Sequence, residues 1–272
     1  MKKIVAFFCL IAVVFAPAWA SGKHTNIESL EDYQRLNLQD ILPPPIDPNL
    51  PYVLPLSVDD FAEKRAYVKA FLRGNKNALC IIDISGSNLP YYKDDEYVNT
   101  ESLTLLEKHL RSFPETVLRL NLEGEGRYIR EGRICLSSSA FPQNLQNLII
   151  NDPNACVKEI SDSFLSSGVI GMERYQNSLR KIVLLLPGVE KIGRNFLYST
   201  NTLSHLYLDG QVYTIGKDFI LNSNGYVLQI PEHNYENMTT AILCSGSAFK
   251  GILKKVGAFI PETDMWRLFF EQ

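Results

Sequence analysis

Few side chains in this sequence are spaced as a catalytic site would require. The chain has four histidines, His24, His109, His205 and His233. They stand far apart, and none has a partner at a recognisable catalytic spacing. The serine run at 137–139 is not in the Gly-x-Ser-x-Gly turn of a hydrolase nucleophile, and the segment 124–126 does not match a phosphate-binding loop. We therefore expect no catalysis and no cofactor.

Metal binding and nucleic-acid binding are not indicated either. Asp94-Asp95-Glu96 offers carboxylates, but no EF-hand spacing follows, so a solvated loop is predicted. No Cys-x-x-Cys pair or Cys/His cluster has the spacing of a zinc site. The formal net charge of −3 provides no basic field for a nucleic acid. The 46% apolar and 11% aromatic content is typical of a folded globular chain.

Residues 1–20 are predicted to form a secretory signal peptide. Lys2 and Lys3 precede an apolar stretch over 4–15, and Ala18-Trp19-Ala20 places small residues where a signal peptidase reads them. An N-terminal membrane anchor is the alternative interpretation. Export predicts a periplasmic, secreted or cell-surface protein. We expect no transmembrane segment in the mature chain, because no later stretch has eighteen consecutive apolar residues.

One apolar pattern recurs along the middle of the chain. Apolar residues occupy the first, fourth and sixth positions of six-residue stretches, with one exception at Gly225. The stretches are 79–84, 117–122, 145–150, 179–184, 203–208 and 225–230. A short strand with this pattern turns its apolar side chains inward, and stacked copies bury them in one continuous core. An unrelated α/β sheet with irregular crossovers is the alternative.

A second pattern follows the strands and supports the same repeat. Ile-Gly-x-x-Phe occurs at 192–196 and 215–219, with a looser copy at 160–164. Each phenylalanine is expected in the same interior layer. Together with Leu179-Arg180-Lys181-Ile182-Val183-Leu184, this segment resembles the bacterial surface-antigen type of leucine-rich repeat, called BspA-like. The family's alanine before Phe is Asn195 and Asp218 here, and its cysteine after Phe is absent.

The resemblance implies an α/β leucine-rich-repeat solenoid, with a parallel sheet on the concave face and irregular or short helical returns. The expected organisation is a signal peptide (1–20), a Pro-rich leader (21–56), an N-terminal capping helix (57–76), the repeat domain (77–235) and a C-terminal cap (236–272). The capping helix is predicted over 57–73, with Ser57 at its start and Gly74 as its stop. A second helix is predicted over Ser247–Val256. The aromatic residues that follow are expected to cover the last coil, and an exposed docking surface is the alternative.

Four cysteines remain after the signal peptide, Cys80, Cys135, Cys156 and Cys244. An oxidising compartment permits an even number of them to pair. In the repeat register Cys135 and Cys156 fall on the same flank of neighbouring coils, so a disulfide between them is one prediction. Buried free thiols are the alternative.

Function is expected on the outward-facing positions of the strands. A basic and aromatic group is predicted there, comprising Arg119, Arg180, Lys181, His205, Tyr207 and Tyr226. Arginine and tyrosine are residues that protein interfaces favour, and an ordinary solvated face is the alternative. The prediction is an exported, non-catalytic protein-binding module, which the family likeness associates with adhesion or host interaction. A structural cell-envelope component and an exported hydrolase are the two alternatives.

Overall fold

The computed structural model describes residues 52–74, 78–84, 91–93, 96–98, 100–122, 129–130, 133–136, 141–166, 178–221, 223, 225–259, 264 and 268–269. The predicted signal peptide, the leader before residue 52, His24, Asp94-Asp95, the segment 124–126 and the serine run 137–139 lie outside these residues. Every structural statement below concerns the described part of the chain.

The described elements alternate between short strands and a few helices. In chain order they are β1 (Tyr52–Ser57), α1 (Val58–Gly74), β2 (Ala78–Asp83), β3 (Tyr91–Lys93), β4 (Glu96–Val98), α2 (Thr100–Leu110), β5 (Val117–Asn121), β6 (Ile129–Arg130), β7 (Arg133–Leu136), β8 (Asn147–Asn151), β9 (Val157–Ile160), β10 (Lys181–Leu185), β11 (Lys191–Ile192), β12 (His205–Asp209), β13 (Thr214–Ile215), β14 (Val227–Pro231), a 3-10 turn (Glu232–Asn234), α3 (Tyr235–Cys244) and β15 (Ile252–Val256).

These strands form one large parallel sheet and two smaller sheets. The large sheet has the order β1-β2-β5-β8-β10-β12-β14-β15, and each neighbouring pair is parallel. A second sheet has the order β13-β11-β9-β7-β6 and is parallel except where β6 meets β7, and β3 and β4 form an antiparallel pair. The predicted α/β class with a mostly parallel sheet is confirmed.

The register of the large sheet aligns the inward positions of successive strands. These positions are Ile82, Leu118, Leu148, Ile182, Leu206, Leu228 and Leu253. The sequence pattern paired Leu120 with Leu148, so the predicted register of β5 was wrong by two residues. The segment 117–122 is apolar at four positions, and a shift of two keeps the same side chains on the same face. The apolar pattern therefore fits both registers.

The interior between the two larger sheets contains a column of phenylalanines, as the Ile-Gly-x-x-Phe pattern predicts. Phe164 and Phe196 are stacked with ring centroids 5.9 Å apart, and Phe196 and Phe219 are stacked at 5.4 Å. Phe141 meets Phe164 edge-on at 6.3 Å. All four rings are buried, so the prediction of one shared interior layer is confirmed.

The backbone on either side of these phenylalanines has a repeated left-handed conformation. Positive φ angles flank three of the rings, at Ser163 (61°), Leu165 (48°), Asn195 (56°), Leu197 (51°), Asp218 (63°) and Ile220 (50°). Each such residue costs about 1–2 kcal/mol relative to the right-handed region. The same conformation recurs at three successive turns, so it belongs to the repeated unit. Burial of the phenylalanine ring offsets the free-energy cost of the two left-handed residues beside it.

The N-terminal helix lies where the sequence predicts it. Helix α1 covers Val58–Gly74, one residue later than the predicted 57–73. Its residues Phe61, Val68 and Phe71 are buried in the main core, which also contains the phenylalanine column. Strand β1 precedes it at the edge of the sheet, the position that tolerates Pro55 because an edge strand leaves part of its backbone unpaired.

The C-terminal part of the chain differs from the prediction. The segment predicted as a helix over Ser247–Val256 contains strand β15, which pairs with β14, while the helix α3 lies earlier. The parallel sheet therefore extends beyond the predicted boundary at residue 235. The spacing of Phe249, Ile252 and Val256 fits a helix. In the folded chain, however, the unpaired N–H and C=O groups at the edge of β14 are available to this segment, which therefore forms a strand.

The predicted disulfide between Cys135 and Cys156 is not formed in this structure, where Cys156 is a free thiol. The register pairs Cys135 with Glu159 and Ile134 with Val157, with an irregularity between them. Strand spacings of about 4.8 Å and rises of about 3.3 Å place the two Cα atoms about 8 Å or more apart, beyond the reach of a disulfide. The thiol of Cys80 is also free, and burial raises its pKa to about 12.

A buried histidine makes the fold sensitive to acid. His109 is only 1% exposed, its Nε2 lies 2.9 Å from the Thr116 hydroxyl, and its ring meets Phe61 edge-on. Burial, assisted by the charges of Lys69 and Arg65, lowers the pKa of His109 to about 4. The folded state therefore holds a neutral imidazole, whereas the unfolded chain protonates it below about pH 6.5.

We expect this difference to reduce stability between neutral pH and pH 5. Because the pKa of His109 is lower in the folded protein than in the unfolded chain, its full contribution to stability is present above about pH 6.5. This contribution is lost as the pH falls toward 4. The free energy of unfolding should decrease by about 2 kcal/mol between pH 7.5 and pH 5 because of this group. Urea unfolding of the wild type and of His109→Gln at both pH values measures the difference. The comparison variant His233→Gln replaces an exposed histidine that lies 3.2 Å from Asp209, and loss of this surface pair should change the pH dependence much less than His109→Gln does. An equal pH dependence in His109→Gln would contradict this assignment.

Candidate functional site

Buried apolar residues lie on both faces of the large sheet. One face packs against the main core that contains the phenylalanine column. The opposite face, here called the second face, carries a separate apolar cluster. Its sheet residues are Leu79, Ile81, Val117, Ile149, Val183 and Tyr207. The C-terminal residues Phe259, Leu268 and Phe269 pack against this cluster. The sequence predicted a binding surface here, with an ordinary solvated face as the alternative, and a C-terminus that covers the last coil. Instead, the C-terminal segment lies on the second face.

Three of the six predicted binding residues lie close together on this face. Lys181 and His205 are register partners on β10 and β12, and Tyr207 is the next residue of β12 on the same face. Arg180 directly precedes Lys181 and is exposed. The other two predicted residues, Arg119 and Tyr226, lie elsewhere.

Arg119 lies in the same row of the second face as Tyr207, but on β5, three strands away from β12. Its guanidinium donates two hydrogen bonds to Asp83 Oδ2, at 3.1 Å from Nε and 2.9 Å from Nη2. The side-chain amide of Asn121 donates to the same oxygen at 2.9 Å. This half-buried network joins β2 to β5, so Arg119 has a structural role here.

Tyr226 was predicted on the binding surface, and this prediction is wrong. Its side chain is fully buried in the main core, where its ring meets Phe249 edge-on at 5.4 Å. Tyr226 precedes β14 by one residue and shares the inward face of Leu228 and Ile230, as the strand alternation requires. Gly251 lets the ring approach, because a Cβ there would be 2.4 Å from Tyr226 Cε2.

A cleft of about 500 Å³ opens between the second face and the C-terminal segment. The sheet contributes His205, Tyr207, Gln229 and Lys254 to its lining. The opposite wall includes Phe259, Asp264 and Leu268. This volume falls within the range of known small-ligand sites, about 300–1,000 Å³.

The sheet register arranges the polar residues of the cleft in one row. Tyr207, Gln229 and Lys254 are successive partners on β12, β14 and β15. Gln229 was recognised in the sequence as outward-facing without being assigned to the site, and Lys254 was missed. The strand alternation of Ile252–Val256 would have placed Lys254 outward, but only after that segment had been recognised as a strand.

His205 has a defined tautomer in its neutral form. The hydroxyl of Ser204 donates its proton to the carbonyl oxygen of Arg180 at 2.9 Å, so its oxygen accepts from His205 Nδ1 at 3.1 Å. The other ring nitrogen, Nε2, then carries a lone pair. Burial lowers the pKa of His205, and the charges of Lys181 and Lys254 lower it further.

Tyr207 anchors the C-terminal segment and is only 2% exposed. Its hydroxyl oxygen accepts a hydrogen bond from the backbone N–H of Phe259 at 2.9 Å, and the two ring centroids are 5.1 Å apart. Burial raises the pKa of Tyr207 to about 12. Tyr207 therefore holds the two walls of the cleft together. The ammonium of Lys254 and the amide of Gln229 remain available to contact a ligand.

Ser204 is the hydroxyl nearest to His205, but it donates its proton to a carbonyl, so the imidazole does not activate it as a nucleophile. In the described part of the chain, no three His, Cys, Asp or Glu side chains are grouped as metal ligands. Lys254 and Asp264 line the cleft, and Lys181 lies beside His205 on β10, where burial lowers the pKa of Lys181.

Comparison with protein-family models, with curated proteins and with solved structures finds no match for this chain. Among the described helices, none is long and apolar enough to cross a membrane.

Proposed function

We propose that this chain is an exported leucine-rich-repeat solenoid of the BspA-like type that binds another protein without catalysis. The repeated unit supports the solenoid, since parallel strands follow one another in chain order and each turn adds a phenylalanine to one column. Helix α1 covers the first part of the core and α3 the last, as terminal caps of a repeat array would.

The cleft on the second face is the proposed binding site. The observation that carries the proposal is the group of polar side chains there: Lys254, the half-buried amide of Gln229 and His205 line the cleft, and Lys181 lies beside His205 on β10. Among the described residues, neither lysine takes part in a salt bridge, and the charge of Glu115 acts on Lys181. Partner recognition by such groups requires a complementary anionic surface.

Affinity capture with charge-matched variants tests the proposal. The mature chain, from residue 21 onward, is immobilised and exposed to extract from its native envelope or host. We expect Lys181→Ala/Lys254→Ala to lower recovery of a wild-type partner at least tenfold while the melting temperature is unchanged. Lys217→Ala/Lys250→Ala removes the same charge at exposed positions away from the cleft and should retain the partner.

The outcomes separate the proposal from its alternatives. Equal recovery by both double variants would place the partner on another surface. If no protein is captured from any extract, the interpretation as a binding module is rejected. The chain is then interpreted as a structural envelope component or as an exported hydrolase. Mass spectrometry of the exported chain tests the signal peptide, because cleavage after Ala20 leaves Ser21 at the N-terminus.

A further inference from the structure

The imidazole of His109 lies between aromatic rings where the two N-terminal helices meet. Its ring centroid is 4.8 Å from that of Phe61 on α1 and 5.1 Å from that of Phe113, which follows α2. Nε2 lies 2.9 Å from the Thr116 hydroxyl, whereas Nδ1 is buried and has no hydrogen-bond partner among the described residues. An imidazolium has two N–H donors. Protonation of His109 would therefore bury a donor that no described acceptor meets.

The described charged groups that act on this imidazole are cations. Burial lowers the pKa of His109, and the charges of Lys69 and Arg65 on α1 lower it further. Lys108, the neighbour of His109 on α2, acts in turn on Lys69. A proton on His109 would thus add a buried positive charge beside two cations, and such a charge is costly until water reaches it.

The other titratable groups around this site do not compensate the charge. The thiol of Cys80 on β2, which shares a hydrogen bond with Thr116, is neutral because burial raises its pKa to about 12. Glu107 of α2 accepts a hydrogen bond from the backbone N–H of Gln143 at 3.5 Å, and the side chain of Glu115 is exposed. Separation of the two helices is therefore the route by which a protonated imidazole gains hydration.

The helix pair lies at the first end of the sheet, away from most of the phenylalanine column. The principal contacts of α1 are with β1, β2 and α2. The column is built from later turns, since its rings come from Phe141, Phe164, Phe196 and Phe219. When successive units contact only their neighbours, a free-energy change at one end opens that end first.

We propose that protonation of His109 opens the helix pair α1 and α2 away from the first strands while the phenylalanine column stays closed. The opened form exposes Phe61 of α1, Leu106 of α2 and the thiol of Cys80, all of which are buried in the closed form. Acid thus uncovers an apolar surface that is covered at neutral pH. This surface lies at the opposite end of the large sheet from β14 and β15, which contribute to the cleft.

Hydrogen exchange of the full mature chain, followed by mass spectrometry from pH 7.5 to pH 4.5, tests this proposal. Protection factors correct for the intrinsic pH dependence of exchange and report how often each segment opens. We expect those of α1 and β2 to fall about thirtyfold between pH 7.5 and pH 5, because hydrated His109 regains a pKa of about 6.5. The segment 193–197, whose N–H groups bond to neighbouring turns of the column, should change by less than about threefold.

Two variants assign the effect to one histidine. His109→Gln removes the titrating group and should make the protection of α1 independent of pH. His233→Gln, at an exposed position beyond β14, should retain most of the thirtyfold fall. If His109→Gln does not fold, the pH profile of the wild type decides. A fall that begins near pH 6.5 identifies a histidine, whereas one that begins below about pH 5 belongs to carboxylates and overturns the proposal.

The remaining outcomes are equally defined. Equal falls in α1 and in the segment 193–197 would show that acid unfolds the whole chain, and local opening would be rejected. Constant protection of α1 down to pH 4.5 would show that His109 is accommodated in its charged form, and the proposal would fail completely.

Discussion

Replacing Phe196 with alanine is expected to lower the free energy of unfolding by about 3–5 kcal/mol, the usual cost of deleting a buried aromatic ring. The ring is fully buried and stacks on Phe164 at 5.9 Å and on Phe219 at 5.4 Å. Its loss removes both contacts and leaves a cavity in the middle of the column. Urea unfolding measures the change, and the melting temperature should fall by about 10 °C.

Two further variants serve as controls for this prediction. Phe196→Leu keeps much of the volume and should cost clearly less than alanine. Tyr213→Ala removes an aromatic side chain that is 61% exposed and should change stability by less than about 0.5 kcal/mol. A cost for Phe196→Ala as small as that of Tyr213→Ala would show that the column does not hold the repeats together.

Replacing Gly216 with alanine is expected to destabilise the fold by about 3 kcal/mol, the upper end of the range for overpacking. A Cβ at this position would be 2.6 Å from Arg194 N and 2.7 Å from Gly193 C, both of them backbone atoms of the preceding turn. Backbone cannot move aside as a flexible side chain can. The N–H of Gly216 also donates to the carbonyl oxygen of Ile192 at 2.8 Å, so the two turns are already in contact.

Gly257→Ala is the matched control for this prediction. Within the described residues, no atom other than those of its two chain neighbours lies within 4 Å of a Cβ at Gly257, so alanine there should be close to neutral. Gly193→Ala should behave like Gly216→Ala, since its Cβ would be 2.5 Å from Asp162 N. Equal melting temperatures for Gly216→Ala and Gly257→Ala would contradict the close packing of successive turns.

This contact also explains why glycine occurs in the Ile-Gly-x-x-Phe pattern. The sequence indicated the pattern and its spacing but not the reason for the glycine. The close approach involves backbone atoms of the preceding turn, 22 and 23 positions earlier in the chain, so it arises only when the turns are stacked. The isoleucine and phenylalanine were predictable, because apolar side chains at a fixed repeat must share a buried layer.

The candidate site was predictable only in part. The alternation of β10 and β12 correctly placed Lys181, His205 and Tyr207 on one face. It did not show that Tyr207 would be covered, since burial of that face depends on the C-terminal segment that follows β15. Lys254 was missed for the same reason, because β15 forms only beside the open edge of β14.

Sequence patterns were thus sufficient for the parallel α/β class, for helix α1 and for the buried phenylalanine column, because they depend on side-chain periodicity within a segment or on a unit that recurs along the chain. The register of β5, the strand at Ile252–Val256 and the cover over the second face depended on contacts between distant segments. Periodicity specifies which side chains share a face, and a shift of two residues leaves it unchanged. Only the packed chain determines which strand lies alongside and which segment covers the face.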